Sequence, residues 1–282
     1  MSSKISVLIL TKNEEKDLPG CLDSVSWSDD IHVYDSLSSD ETVEIARATG
    51  ARVTQRAFDN WAAHQNWGLQ NIPFKYQWVF YIDADERMTP DLVREVQTAV
   101  ENPGESVAFR IQRRDFFMGC WLKHVQTSPF YLRLFRHKKM RYERLVNPIS
   151  IPDGPVGQVN GYLDHFPFSK GISHWFERHN SYSTLEAQQI VSNQSNNEEF
   201  SVWKAFFEKD FHKKRYHQKE LFYRLPARPL VKFMLFYFLK RGFLDGRAGF
   251  TYSVLQSIYE YMIVLKSREL EDGKHGLPYH NN

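Results

Sequence analysis

The chain has 282 residues, a formal net charge of +2 at pH 7 and 42% hydrophobic residues. That apolar share supports a sizeable core and excludes a disordered chain, and the near-balanced charge gives no support for wholesale nucleic-acid binding. The two cysteines, Cys21 and Cys120, have neither metal-ligand spacing nor a disulfide framework, which points to a reducing compartment.

The first hundred residues alternate strand and helix. ISVLIL (5–10) is a short continuous apolar run, the pattern of a strand buried on both faces. It starts almost at once, so no signal peptide is expected. NEEKDLPGCLDSV reads as a helix from about Glu15. IHVYDS is a second strand ending on Asp35. SSDETVEIARATG follows as a helix, capped by Ser or Asp and closed by Gly50. ARVTQR is a third strand and NWAAHQNWGLQN a helix. QWVFYID is a fourth strand, and TPDLVREVQTAV is a helix with Thr89 as cap and Pro90 at its first position. Four such alternations predict a doubly wound, mostly parallel α/β sheet.

In an open α/β sheet, ligands bind beyond the carboxyl ends of the strands. Thr11, Asp35 and Asp83 each lie just past a strand end, so they are expected at one rim. The fourth strand stops on a cluster of acids, Asp83, Asp85 and Glu86. Paired carboxylates suit a hard divalent cation such as Mg²⁺, which takes one or two of them and completes its shell with water and phosphate oxygens. Asp83 and Asp85 are an i, i+2 pair, so one can touch the metal while the other meets a ribose or a metal-bound water. The alternative is that these acids merely form a turn and favour the next helix N-terminus.

Three stretches together, SVLILTKNEEKDLPGCLDSV, VYDSLSSDETVEIARATGARV and VFYIDADERMTPDL, resemble family-2 glycosyltransferases of the GT-A fold. Within that family the chain is similar to bacterial glucosyltransferase-like enzymes of lipopolysaccharide-core and surface-polysaccharide assembly. YLRLFR (131–136), LDHFPFSKG (163–171), HNSYSTLEA (179–187) and FLKRGFLDGRAGF (238–250) extend the likeness over nearly the whole chain. The resemblance implies that Thr11, Asn13 and Glu14 seat the base and ribose of a sugar nucleotide. It implies that Asp35 recognises uracil or ribose, with Leu37 where glycine is common in the family. Gln65 and Asn66 match a donor-side segment, the alternative being surface amides of a helix. Asp83 and Asp85 match the metal-binding Asp-x-Asp, which makes Asp85 a catalytic carboxylate and Mg²⁺ or Mn²⁺ the cofactor.

An inverting transfer needs a base for the acceptor hydroxyl, and a carboxylate opposite the leaving group suits that task. The subgroup usually has Val-His-Glu here. Aligned on Leu163-Asp164-His165, its His and Glu fall on Asn147 and Pro148, neither of which is basic. Glu143, Asp153 and Asp164 are the nearby acids. Glu143 is the preferred base, against a surface ion pair with Arg141 or Arg144. The histidines lack metal-pair spacing, and His165 and His179 are expected to order the acceptor cleft or pair with carboxylates.

From about Trp175 the pattern is helical. The stretch 230–239 is apolar but much shorter than the ~18 residues a spanning helix needs. It is rich in Phe and Tyr and flanked by Arg228, Lys232, Lys240, Arg241 and Arg247. With the basic KDFHKKRYHQK upstream, this suits a helix lying in a membrane interface; packing on the catalytic domain is the alternative. The expectation is therefore a GT-A nucleotide-sugar-binding domain over 1–172 and a helical extension over 173–282, membrane-associated at the inner face of the cell membrane. The expected activity is metal-dependent inverting transfer of a hexose from a nucleotide diphosphate sugar, UDP-sugar favoured, to a glycan or lipid-linked acceptor. A non-catalytic nucleotide-sugar-binding protein on the same fold is the alternative. A pyrophosphorylase is disfavoured because LTKNEEKDL contains no phosphate-binding glycines.

Overall fold

A computed structural model describes residues 4–143, 149–195, 200–208 and 210–274. The chain forms two compact units, 1–121 with 127–170 and 122–126 with 171–282. Residues 122–126, expected from the sequence to stay with the nucleotide-binding part, thus belong to the second unit. There the backbone N–H groups of His124 and Val125 donate to Asp245 Oδ2 at 2.9 and 2.7 Å.

The strands of the first unit are β1 (Ile5–Thr11), β2 (Ile31–Asp35), β3 (Arg52–Gln55), β4 (Trp78–Asp83), β5 (Glu86–Met88), β6 (Ala108–Phe117), β7 (Cys120–Trp121), β8 (Phe130–Arg136), β9 (Met140–Glu143), β10 (Ile149–Pro152) and β11 (Val156–His165). The main sheet runs β3-β2-β1-β4-β8-β6-β11-β5, with β7 on β6 and a separate β9–β10 ladder. The four strands expected from the sequence are its parallel part. β8 then runs antiparallel between β4 and β6, while β11 is parallel to β6. Side chains alternate across the sheet. Ile5, Val7, Ile9, Trp78, Phe80 and Ile82 enter one apolar cluster, and Leu8, Val79 and Tyr81 enter the other. A strand period of two with both faces covered is the reason these strands read as continuous apolar runs.

The unit's helices are α1 (Leu18–Ser24), α2 (Thr42–Ala48), α3 (Trp61–Asn71) and α4 (Pro90–Glu101). α1 starts later than Glu15. Glu14 O accepts from Asp17 N at 3.0 Å in a preceding turn, and Pro19, lacking an N–H, occupies the first helical turn. α4 begins as the sequence dictates, with the Thr89 hydroxyl accepting from Leu92 N at 3.2 Å.

The second unit is helical: α5 (Ile172–Ser195), α6 (Val202–Phe207), α7 (Phe211–Tyr223), α8 (Arg228–Met234) and α9 (Gly246–Lys274). The apolar stretch after Arg228 is not one helix. α8 passes into a wide turn at Leu235–Leu239 and a tight one at Gly242–Asp245. Gly249 is needed there, since a Cβ would sit 2.0 Å from Gly242 O. No helix among the described residues is long and apolar enough to cross a membrane.

Candidate active site

Three neighbouring parallel strands deliver the expected residues to one rim. Thr11 lies opposite Asp35 across β1 and β2, and Leu10 lies opposite Asp83 across β1 and β4. Asp35 is fully buried. It accepts from Thr11 Oγ1 at 2.9 Å, Ser38 N at 2.9 Å, Ser38 Oγ at 2.5 Å and Gln55 Nε2 at 3.0 Å. Burial works against its charge, but these donors more than offset it and hold the carboxyl below the usual range. Asp35 therefore organises the loop after β2. In that loop Leu37 has φ 61°, the left-handed conformation for which the family's glycine is suited. Asn13 also has positive φ, which asparagine tolerates, and its Oδ1 accepts from Ser39 N at 2.9 Å. Glu14 pairs with Lys170 at 2.6 Å, and burial raises its carboxyl to about 7 against that lysine.

The acid cluster after β4 is matched by cations from later strands. Asp83 accepts from Tyr81 Oη at 2.7 Å on one oxygen and from Arg133 Nη2 at 2.7 Å on the other. Arg133 also reaches Glu86 Oε1 at 2.6 Å. Glu86 is fully buried, and burial pushes its carboxyl up to about 7 in spite of Arg133. Asp85 lies 3.2 Å from His165 Nε2, whose Nδ1 lies 2.5 Å from Asp115. Burial alone would lower the imidazole pKa; Asp115 and Asp85 raise it to about 9, so it is cationic at neutral pH. Arg113 adds pairs to Asp115 at 3.0 Å and Glu86 at 3.8 Å. The like charges are tolerated because each negative group has a cation beside it in a low-dielectric setting.

The other expected residues divide. Gln65 belongs to the cluster: its Nε2 donates to Tyr81 Oη at 3.4 Å, and among the described residues its buried Oε1 has no partner. Asn66 does not. Both ends of its amide bond the Tyr142 backbone at 2.8 Å, so it fixes β9 to α3 instead of facing a donor. Glu143 pairs with Arg141 at 3.2 Å and its side chain is 56% exposed, the surface ion pair that was the alternative to a catalytic role. Asp153 pairs with Lys139 and Asp164 with Arg114. Asn147 and Pro148 lie outside the described residues. Arg133, Arg113, Asp115 and Lys170 received no role from the sequence. The signal for Arg133 was a cation in an apolar strand, YLRLFR, beside the buried Leu134 and Phe135.

The sequence profile described as glycosyl transferase family 2 matches residues 6–163. The chain belongs to glycosyl transferase family 2. This family 2 enzyme is 25% identical over 272 residues to the lipopolysaccharide core biosynthesis glycosyltransferase LpsC of Rhizobium meliloti, covering 93% of this chain and 91% of that one. It is also 25% identical to an uncharacterized glycosyltransferase of Rickettsia typhi, over 95% of this chain and 87% of the other. Among solved structures it resembles glucosyl-3-phosphoglycerate synthase of Mycobacterium tuberculosis, crystallised with Mn²⁺, UDP-glucose and phosphoglyceric acid. That match is 24% identical with a TM-score of 0.35, over 39% of this chain and 43% of the synthase.

The fold is GT-A, and the Asp83–Asp85 rim is the part of this glycosyltransferase whose chemistry fits a divalent cation. Both side chains are hard oxygen donors and partly exposed, at 38% and 25%. Among the described residues no group of three or more His, Cys, Asp or Glu could hold a metal. Two carboxylates are the protein share that Mg²⁺ or Mn²⁺ takes, with water and phosphate oxygens as the remaining ligands, and are too few for a closed zinc site.

Proposed function

We propose that this glycosyltransferase moves a hexose from a nucleotide diphosphate sugar, UDP-sugar favoured, with inversion, to a glycan or lipid-linked acceptor of bacterial lipopolysaccharide or surface polysaccharide. The observation that carries the reading is the pair Asp83 and Asp85 at the carboxyl end of β4, held between Arg133 and His165. The likeness to a lipopolysaccharide core enzyme over most of both chains supports the acceptor class.

A divalent ion bound here supplies Lewis-acid stabilisation of the departing diphosphate. The chain's own groups set up the site. Tyr81 and Arg133 fix the orientation of Asp83, and His165 holds Asp85. Thr11, Asn13, Glu14 and Asp35 shape the donor seat beside them. Glu143 is the proposed base for the acceptor hydroxyl. Its support is its place in the segment that carries the base in the family the chain resembles; its side chain pairs with Arg141 on the face of β9 opposite the buried Tyr142, and acting as base requires it to leave that pair. In a panel of nucleotide sugars with and without Mg²⁺ or Mn²⁺, the true donor raises the melting temperature only with metal. Asp85→Ala is expected to stay folded and lose that shift; undiminished metal-dependent turnover in this variant overturns the reading. Glu143→Gln is expected to keep donor affinity and lose roughly 10²–10⁴ in transfer. Normal transfer by Glu143→Gln with a dead Asp164→Asn would move the base to Asp164.

The helical unit is proposed to hold the enzyme peripherally at the cytoplasmic membrane face. Trp203 (70%), Phe207 (61%) and Leu239 (76%) are largely exposed, and Lys204 and Arg241 are exposed within two residues of Trp203 and Leu239 in sequence. Liposome flotation with anionic lipid should recover the parent and lose the triple variant Trp203→Ser, Phe207→Ser, Leu239→Ser. Equal flotation of the two counts against membrane docking.

A further inference from the structure

The segment that follows β11, residues 166–170, is tied to both sides of the rim. At its start Phe166 N donates to Asp85 O at 2.9 Å. At its end Ser169 Oγ donates to Asp17 Oδ2 at 2.6 Å, and Lys170 Nζ donates to Asn13 O at 2.8 Å and to Glu14 Oε1 at 2.6 Å. Lys170 therefore stands on the loop between β1 and α1, against the residues proposed to seat the nucleoside. Its own segment is bonded to a residue proposed to hold the metal. The Glu14 carboxyl, raised chiefly by burial, also feels the Asp85 charge, so the two places are near one another.

Two observations separate Lys170 from a purely structural ion pair. An ammonium has three N–H donors. Two are used, among the described residues the third has no partner, and the side chain is 21% exposed. Glu14 is equally incomplete: its Oε2 is buried and, among the described residues, unpaired. A buried pair favours the fold only when its remaining polar groups are satisfied, and this one is half satisfied. Neighbouring cations are already committed. Arg133 is 6% exposed and ends on Asp83 and Glu86, and His165 lies between Asp85 and Asp115. Lys12, beside Asn13, turns to Leu37 O at 2.5 Å on the loop after β2.

A nucleotide diphosphate sugar carries its phosphates between the nucleoside and the metal. That path runs from Asn13 and Glu14 to Asp83 and Asp85, and Lys170 flanks it. We infer that Lys170 binds the donor diphosphate through its unused N–H while Glu14 and Asn13 keep the ammonium aimed. In the transfer, the bond from the anomeric carbon to the diphosphate breaks and its electron pair stays on the diphosphate oxygen. The acceptor oxygen forms the new bond and its proton passes to the base. Lys170 stabilises the charge that collects on the departing diphosphate. This role rests on the nucleotide-sugar donor already proposed.

The test compares nucleoside diphosphates with nucleosides, which reads the phosphate contact separately from the seat. UDP, ADP and GDP are titrated calorimetrically into the full chain with Mg²⁺, and the matching nucleosides are followed by saturation-transfer NMR. For the diphosphate that the parent binds tightest, Lys170→Met should lose about tenfold to a hundredfold in affinity, the worth of a charge-assisted hydrogen bond, with nucleoside affinity kept within about twofold. Lys170→Gln, which keeps a donor for Glu14 without the charge, should show the same split; it keeps the test decisive if Lys170→Met does not fold. Equal loss of nucleoside and diphosphate affinity overturns the inference, because Lys170 then only holds Asn13 and Glu14 in place. Diphosphate binding at parental strength in either folded variant also overturns it. Asp85→Ala, titrated alongside, separates that outcome from a failed donor assignment: loss of metal-dependent binding in Asp85→Ala leaves the donor standing. A parent that binds none of the three diphosphates with Mg²⁺ overturns the donor assignment and the role of Lys170 together.

Discussion

The rim of the sheet unit and the outer face of the helical unit differ in what they leave uncovered. At the rim, Asp83 and Glu86 share Arg133, Asp85 and Asp115 share His165, and Asp35 takes four hydrogen bonds. In the helical unit large apolar side chains such as Trp203, Phe207 and Leu239 stay in solvent. Uncompensated buried charge costs several kcal/mol, so a site built of carboxylates must carry its own cations before any ligand arrives. Apolar surface costs only about 25 cal/mol per Å² to leave wet, so a docking face can wait uncovered.

Removing a buried cation from each unit tests this contrast most severely. Arg133→Met leaves Glu86 and Asp83 without their shared partner, and Arg228→Met leaves Glu260 with only the longer pair to Lys232, at 3.8 Å. Each is expected to lose about 3–5 kcal/mol in denaturant unfolding. Only Arg133→Met should also lower metal-dependent nucleotide-sugar affinity, measured by titration on folded protein. Equal loss of that affinity in both would erase the distinction between the units.

Removing a charge from the rim itself has the next largest effect. Asp85→Ala should reduce sugar transfer by roughly 10²–10³ while the unfolding midpoint moves little, since Asp85 is partly exposed and its loss leaves His165 still paired with Asp115.

Glu14 sharpens the contrast through pH. Its folded carboxyl is raised to about 7 from an ordinary 4.5, chiefly by burial. The folded chain therefore holds this proton to higher pH than the unfolded chain. The stability it contributes is present in full below about 4.5 and is lost as pH rises through about 7. Glu14→Gln should flatten the stability profile over that window, as read from urea midpoints at half-unit steps of pH. An unchanged slope would mean that Lys170 already keeps Glu14 ionised.

The smallest expected effect is at Leu37, which holds a left-handed conformation at φ 61° with an exposed side chain. Leu37→Gly should raise stability by about 1 kcal/mol through relief of the backbone, because a side chain already in solvent gives up little burial when it is removed. A decrease would show that Leu37 packs on something in the donor seat.

The sequence by itself determined the parallel half of the sheet. β1, β2 and β4 are buried along nearly their whole length and β3 is a short edge strand, so local composition and the capping signals at Thr89-Pro90 were sufficient. The same logic located Thr11, Asp35 and Asp83 at one rim, because strand ends in a parallel sheet fall on one side. It could not read β6, whose Arg110, Gln112, Arg113 and Arg114 break any apolar run, nor the pairing of β8 between β4 and β6. Only the tertiary structure decided which rim residues are partners. Arg133 lies fifty positions from Asp83, and His165 lies fifty from Asp115. It also decided that Asn66 holds β9 and that Glu143 faces Arg141. The physical reason is range. Burial patterns and caps act over a few residues and leave a trace in local sequence, whereas an ion pair depends on two distant strands meeting, and nothing in either segment alone names the other.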